Sequence, residues 1–251
     1  MLKTAYGDCL DVMTHIKDNS IDMIFCDLPY GTTKCKWDII LPFDKLWVQY
    51  KRIAKNTTPI LLFGTEPFSS KLRLSNLEMY RYDWYWNKKR AANFLFMNKQ
   101  PGKIVETISV FYVNQPCYNP IKRDNPLGIR NKDAFKDRHK ISQNVKDLMG
   151  DTWVAPELNH GKDYEPDKLL PNNIIEVSKD IRRFHPTQKP VPLLEYLIKT
   201  YTEEGETILD NCMGSGSTGI ACNNTNRNFI GIEKDKEIYD VAIQRLGEAL
   251  I

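Results

Sequence analysis

The run Thr207-Ile208-Leu209-Asp210-Asn211-Cys212-Met213-Gly214-Ser215-Gly216-Ser217-Thr218-Gly219 leaves few folds open to this chain. A β-branched stretch ends in an acid and a glycine-rich turn, which reads as strand, tight loop and helix start. Ser217 and Thr218 suit the first turn of the helix that carries Ile220, Ala221 and Cys222. A second strand, Asn228 to Glu233, again ends in a carboxylate. The same alternation runs along most of the chain. Strand-like runs fall at Thr4 to Tyr6, Ile21 to Asp27, Pro59 to Phe63, Tyr82 to Trp86, Thr107 to Val113, Thr207 to Asp210 and Phe229 to Ile232. Helical patterns follow the first three at Leu10 to Ile16, Phe43 to Ala54 and Phe68 to Leu77. Leu193, Leu197 and Tyr201 repeat at helical spacing, and Ile238, Val241, Ala242, Leu246, Ala249 and Leu250 form the apolar face of a last helix. The pattern predicts an α/β protein with an open, doubly wound, mostly parallel sheet of seven strands. Ligands in such sheets lie beyond the carboxyl ends of the strands, where Asp27, Asp210 and Glu233 all fall.

Behind the apolar run Ile21 to Cys26 stands Asp27-Leu28-Pro29-Tyr30. A carboxylate and the Leu28 carbonyl can accept both hydrogens of an amino group. Pro29 stiffens the turn, and Tyr30 offers a ring for stacking. These residues suit a flat base carrying an exocyclic amine; taken alone they also describe an ordinary Asp-Pro turn after a strand. Gly214-x-Gly216-x-x-Gly219 with Glu233 beyond it fits a dinucleotide fingerprint too, so an NAD-type oxidoreductase is an alternative. Against that, one strand and one helix follow the loop, fewer than a mononucleotide-binding half requires. Asp210 is placed to meet the amino group of a methionine moiety, which points to S-adenosylmethionine.

With 251 residues, 41% of them hydrophobic, the chain can bury one substantial core with a smaller appended region. A net charge of +3 is mild, so nucleic-acid contact has to be judged by where the charge lies. No apolar run approaches the roughly 18 residues of a membrane span, and no secretory signature opens the chain; a soluble, cytoplasmic protein is expected. The six cysteines show no CxxC pair and no coupled histidine, so reduced thiols are expected and neither a metal site nor a disulfide framework. Residues 114–184 break the alternation: they are polar, interrupted by six prolines and without a period. Lys122, Arg123, Arg130, Lys132, Lys136, Arg138, Lys140 and Lys146 face three acids there, and Asp147 to Asp167 reverses the balance with six acids against Lys162. The basic half suits DNA phosphate, or else pairs with the acidic half in a solvated loop. Lys88-Lys89-Arg90, with Lys99 and Lys103, forms a second basic cluster after Trp84-Tyr85-Trp86, and its cations are expected on DNA phosphate.

With these pieces together, the chain resembles the amino-methyltransferases of DNA in their permuted, β-type order. The tetrapeptide Asp27 to Tyr30 comes first, then a target-recognition region, then the cofactor loop. The resemblance also covers Tyr6-Gly7-Asp8-Cys9-Leu10, Leu62-Phe63-Gly64-Thr65-Glu66-Pro67-Phe68, Trp84-Tyr85-Trp86-Asn87-Lys88 and His185-Pro186-Thr187-Gln188-Lys189-Pro190. It departs at Leu28, where proline is usual, and at Cys212, where phenylalanine is usual. What it implies is a Rossmann-like sheet in which 1–113 is the catalytic half, 114–184 the inserted target-recognition region and 185–251 the cofactor half. It further implies methyl transfer from S-adenosylmethionine to adenine N6 of a flipped base, since Asp at the first tetrapeptide position goes mostly with adenine; cytosine N4 and a silent DNA-binding module are the alternatives.

The resemblance gives Asp8 the adenine of the cofactor, with Cys9 beside it, and Glu233 the ribose. Asp210, Cys212, Gly214, Ser215 and Gly216 receive the methionine part, and Thr187 and Lys189 its carboxylate. Lys34 and Lys36 lie in a loop expected to close over the base. Double-stranded DNA is the expected partner, and a homodimer and a cognate restriction nuclease are compatible with the family. If an aromatic ring at position 212 normally covers the cofactor, Cys212→Phe tightens S-adenosylmethionine binding by about 2- to 10-fold, the worth of one aromatic contact; titration calorimetry of both proteins checks it.

Overall fold

The computed structural model describes residues 1–32, 38–125, 167–178 and 188–248. The chain divides into two compact units, Met1–Asn119 with Asn172–Ile251, and Pro120–Pro171. In the first unit the strands are β1 (Leu2–Tyr6), β2 (Met23–Cys26), β3 (Ile60–Gly64), β4 (Tyr80–Asn87), β5 (Val105–Phe111), β8 (Ile174–Glu176), β9 (Thr207–Asp210) and β10 (Asn228–Glu233). The helices are α1 (Cys9–Met13), α2 (Phe43–Ile53), α3 (Phe68–Leu74), α4 (Val191–Tyr201), α5 (Ser217–Asn224) and α6 (Lys236–Glu248). In the second unit, β6 (Arg123–Asp124) and β7 (Lys168–Leu169) form an antiparallel pair.

The large sheet has the order β1-β10-β9-β2-β3-β5-β4-β8. It is parallel except for β5, which runs antiparallel to both β3 and β4. All seven expected strands are present, and the sheet has eight rather than seven. The additional strand, β8, is three residues long and lies inside the polar segment 114–184. Its partner β4 pairs Trp86 with Ile175 and buries it. So short a run carries no periodicity of its own, which is why the sequence did not disclose it.

Side chains alternate across the strands and feed two apolar layers. Met23 and Phe25 pack with α4, α5 and α6, whereas Ile24 and Cys26 pack with α1, α2 and α3. On α2 the buried residues are Leu46, Trp47, Tyr50 and Ile53, and on α4 they include Leu193, Leu194, Leu197, Ile198 and Tyr201, each set one helical stripe. The chain leaves β2 toward β3 in one direction and β9 toward β10 in the other. The strand order therefore reverses between β9 and β2, the place where an open α/β sheet leaves a crevice.

The three glycines of the turn serve different ends. Gly214 and Gly216 hold φ of +51° and +81°, which a side chain resists. Gly219 is helical and needed for space, because an added Cβ would lie 2.7 Å from Leu246 and 2.8 Å from the fully buried ring of Phe229. Gly219→Ala is expected to cost about 1–3 kcal/mol by overpacking, seen as a lower urea midpoint with an unchanged m value.

Candidate active site

Four carboxylates converge where the parallel strands end. Asp8 follows β1, Glu233 ends β10, Asp210 ends β9 and Asp27 follows β2, and all four line one cavity of about 250 Å³. Around the glycine turn these acids organise backbone. Glu233 accepts the Gly214 amide at 3.0 Å and the Asp235 amide at 2.9 Å. Asp210 is buried, accepting the Cys212 amide at 3.1 Å and the Thr218 hydroxyl at 2.6 Å. Burial pushes the Asp210 carboxyl up to about 6, against the pull of those hydrogen bonds. Asp8 caps α1 by accepting the Leu10 amide at 2.9 Å, and Arg245 braces the turn through the Ser215 carbonyl and hydroxyl at 2.5 and 2.8 Å. An added Cβ at Gly214 would meet nothing within 4 Å, so the turn leaves open space on that side. Carboxylates beside an open glycine turn are a fitting donor set for a ligand with an amine and paired hydroxyls.

Beneath this half lies a small group of thiols. Tyr50 donates to the Asn211 side chain at 2.5 Å, and Asn211 donates in turn to the Cys212 sulfur at 3.6 Å. A hydrogen bond with Cys212 and burial raise the Cys9 thiol, and burial raises Cys26 to about 12. Both stay protonated at neutral pH and pack as small apolar residues.

The other half of the cavity centres on Asp27. The Tyr30 hydroxyl donates to Asp27 Oδ1 at 2.5 Å, and Lys189 Nζ donates to Oδ2. Lys189 also stands 3.5 Å from Glu106, which accepts from Lys88 at 3.0 Å. Burial works against the Lys189 ammonium, but Asp27 and Glu106 outweigh it and hold the group above the ordinary lysine range. Its Nζ lies 4.8 Å from the Phe63 ring centroid. The Tyr30 ring packs tilted on Phe68 with centroids 4.9 Å apart. Burial, then the charges of Asp27 and Glu106, push the Tyr30 hydroxyl well up, so it remains a donor. The Leu28 side chain is buried in the core, leaving its backbone at the cavity wall. Beyond the tetrapeptide, Asp38 ties down the following turn by accepting the Gly31 and Thr32 amides at 2.8 and 2.9 Å.

Asp8, Cys9, Asp27, Leu28, Pro29, Tyr30, Lys189, Asp210, Cys212, Gly214, Ser215 and Glu233 thus line one cavity, and Gly216 caps α5 behind it. Lys189 has partners that the sequence did not announce, and Lys88 differs from expectation. Lys189, expected at the carboxylate of the cofactor, pairs with Asp27 and Glu106. Lys88, expected on DNA phosphate, is 3% exposed and committed to Glu106, so it is not available to a phosphate. Lys89 and Arg90 are exposed, as are Lys122 and Arg123 on the second unit. Thr187, Lys34, Lys36, Arg130, Lys132, Lys136, Arg138 and Lys140 lie outside the described residues. Glu106 and Asp38 were not anticipated. The one signal for Glu106 was an acid standing alone at the start of an apolar strand.

A family model described as DNA methylase matches residues 21–244. The chain belongs to this DNA methylase family. Among relatives of this DNA methylase, the type II methyltransferase M.HindIII of Haemophilus influenzae is 37% identical over 305 residues, spanning 98% of this chain and 96% of the relative. The type II methyltransferase M2.MboI of Moraxella bovis is 27% identical over 270 residues, spanning 96% and 86%. In fold the chain is similar to M1.HpyAVI, solved as a SAM complex, with a TM-score of 0.62, 20% identity and coverage of 98% and 99%. It is equally similar to the cytosine-N4-specific PvuII DNA methyltransferase, with a TM-score of 0.64, 13% identity and coverage of 99% and 90%.

Lys88 is a structural cation of this DNA methylase. Lys88→Ala leaves Glu106 short of a counter-ion and is expected to cost about 3–5 kcal/mol of stability. Lys89→Ala, which removes only an exposed pair with Glu176, shifts stability by less than about 0.5 kcal/mol. Chemical denaturation of the two variants separates the roles.

Proposed function

We propose that this DNA methylase modifies the N6 amine of an adenine extruded from duplex DNA. S-adenosylmethionine is the cofactor; when bound, it supplies an electrophilic methyl group. The observation that carries the reading is the placement of Asp27 on the wall of the cavity that Asp210, Gly214 and Glu233 also line, with Tyr30 and Lys189 fixing its carboxylate.

The lone pair of an exocyclic amine is delocalised into its ring. Hydrogen bonds from both amino hydrogens, one to Asp27 and one to the Leu28 carbonyl, favour the tetrahedral nitrogen whose lone pair is free to attack. Asp27 is also placed to receive the proton that the methylated amine then sheds. Extruding the base costs a few kcal/mol, offset in part by stacking on an aromatic ring, the role we give Tyr30. Glu233 and Asp8 serve the ribose and adenine of the cofactor, and Asp210 holds the glycine turn that faces its methionine part. Lys89, Arg90, Lys122 and Arg123 are the described cations offered to DNA phosphate. The assignment to adenine rests on the acid at position 27, the residue that in the resembled enzymes accompanies N6 rather than N4. The reading places the protein in the cytoplasm, with its DNA.

Wild type and Asp27→Ala, incubated with unmethylated DNA and S-adenosylmethionine, are expected to differ completely: N6-methyladenine from wild type and none from the variant, by mass spectrometry of the digested nucleosides. Tyr30→Ala is expected to lower turnover by about 5- to 150-fold, the loss of a stacking contact of roughly 1–3 kcal/mol, with cofactor affinity retained. N4-methylcytosine from wild type would move the target base. Absence of any methylated nucleoside, with cofactor binding intact, would point to a missing partner, an absent target sequence or a silent DNA-binding module.

A further inference from the structure

The turn that joins β4 to β5 has no part in the cavity, yet it is built for contact. Residues 88–105 contain Lys88, Lys89, Arg90, Lys99 and Lys103 and not one acid. At their tip stand four consecutive large apolar residues, Phe94, Leu95, Phe96 and Met97, with exposures of 69, 73, 55 and 55%. A contiguous apolar patch of that kind, ringed by charge, marks an interaction surface.

The tip is also ordered before anything binds. Lys88 N donates to Ile104 O at 2.8 Å and Ala92 N to Lys103 O at 3.0 Å, while the Asn93 side chain bridges the two arms through Lys103 N at 2.6 Å and Pro101 O at 3.1 Å. Phe94–Phe96 forms a 3₁₀ turn, and Gly102 lies against Ala91 and Met97 so closely that a Cβ there would stand 3.0–3.2 Å from them. The strands that carry the hairpin reach the cavity, since Trp86 near the end of β4 and Glu106 near the start of β5 both line it.

We infer that this hairpin is a duplex-contacting element: Phe94, Leu95, Phe96 and Met97 lie against base faces opened beside the cavity, and Lys89, Arg90, Lys99 and Lys103 take the flanking phosphates. Apolar side chains inserted at a base step unstack it, which lowers the cost of drawing a base out, and cations on either side neutralise the backbone that the insertion brings close. Charge selects the occupant. A second copy of this chain docking symmetrically would set the same cationic ring against itself, whereas a duplex complements it. The element rests on the proposed DNA reaction for its purpose but not for its detection.

The test compares wild type, F94S/F96S and K99A/K103A binding a fluorescein-labelled mixed-sequence duplex across a salt series, with S-adenosylmethionine affinity and sedimentation measured alongside. F94S/F96S is expected to weaken duplex binding about tenfold with cofactor affinity and salt slope unchanged. K99A/K103A is expected to make the slope of log K against log salt shallower by about 2, one per phosphate released. Wild-type duplex affinity in F94S/F96S overturns the inference. So does a wild-type dimer that F94S/F96S splits without changing duplex affinity, which would assign the patch to a second copy. If wild type yields no methylated nucleoside while the binding differences persist, the methylation reading falls and the hairpin stands.

Discussion

A buried ammonium is tolerated only where carboxylates converge on it, and the arrangement around Lys189 follows from that requirement. Removing such a charge from water costs several kcal/mol before any partner is counted. Asp27 and Glu106 supply the compensating charge, and Lys88 balances Glu106, giving two buried bases and two partly buried acids in one row. The four residues come from the end of β2, the end of β4, the start of β5 and the stretch entering α4. One electrostatic condition therefore ties together the Asp27 carboxylate, the pairing of Trp86 with Glu106 across β4 and β5, and the point at which the chain re-enters the sheet. No member can be neutralised without leaving a buried charge behind.

The direction of β5 makes this possible. In the parallel part of the sheet only strand ends reach the ligand edge, so Asp27, Asp210 and Glu233 are each the last residue of a strand or the one after it. Because β5 is antiparallel, its first residues reach the same edge, and Glu106 joins the site from the opposite end of a strand. The hairpin that precedes it consequently emerges from the same edge of the sheet as the cavity.

Much of this was legible in the residues. Seven strands announced themselves by apolar runs, and the acids at their ends marked the ligand edge without any knowledge of strand order. What was not legible depended on neighbours distant in the chain. β8 owes its existence to Trp86, 89 residues before Ile175. Lys88 reads as one of a basic trio with Lys89 and Arg90, and only the antiparallel pairing turns it inward while its neighbours stay exposed. Asp210 shows the same limit at a finer scale. Its position at the turn was evident, but that its two oxygens would accept the Cys212 amide and the Thr218 hydroxyl was not. Lys189 sits in a string that the resemblance ties to the cofactor, and its partners are 162 and 83 residues away.

The occupancy of Asp27 bears on how the proposed reaction would begin. Oδ1 accepts from Tyr30 and Oδ2 from Lys189, so an incoming amine must share or displace one of them. Tyr30 is anchored by its ring on Phe68, and its raised pKa excludes release by ionisation. Lys189 is the partner with an alternative. Glu106 already stands within 3.5 Å, so transfer of the ammonium from Asp27 to Glu106 keeps it buried and paired while freeing Oδ2. In the unliganded protein the lysine fixes the Asp27 carboxylate; in the proposed reaction, with a base in place, the same lysine would rest on Glu106 and leave Oδ2 to the amine. On this account Glu106 is not a bystander to a salt bridge. In the proposed reaction it is the second carboxylate on which the buried ammonium can rest while Asp27 meets the amine.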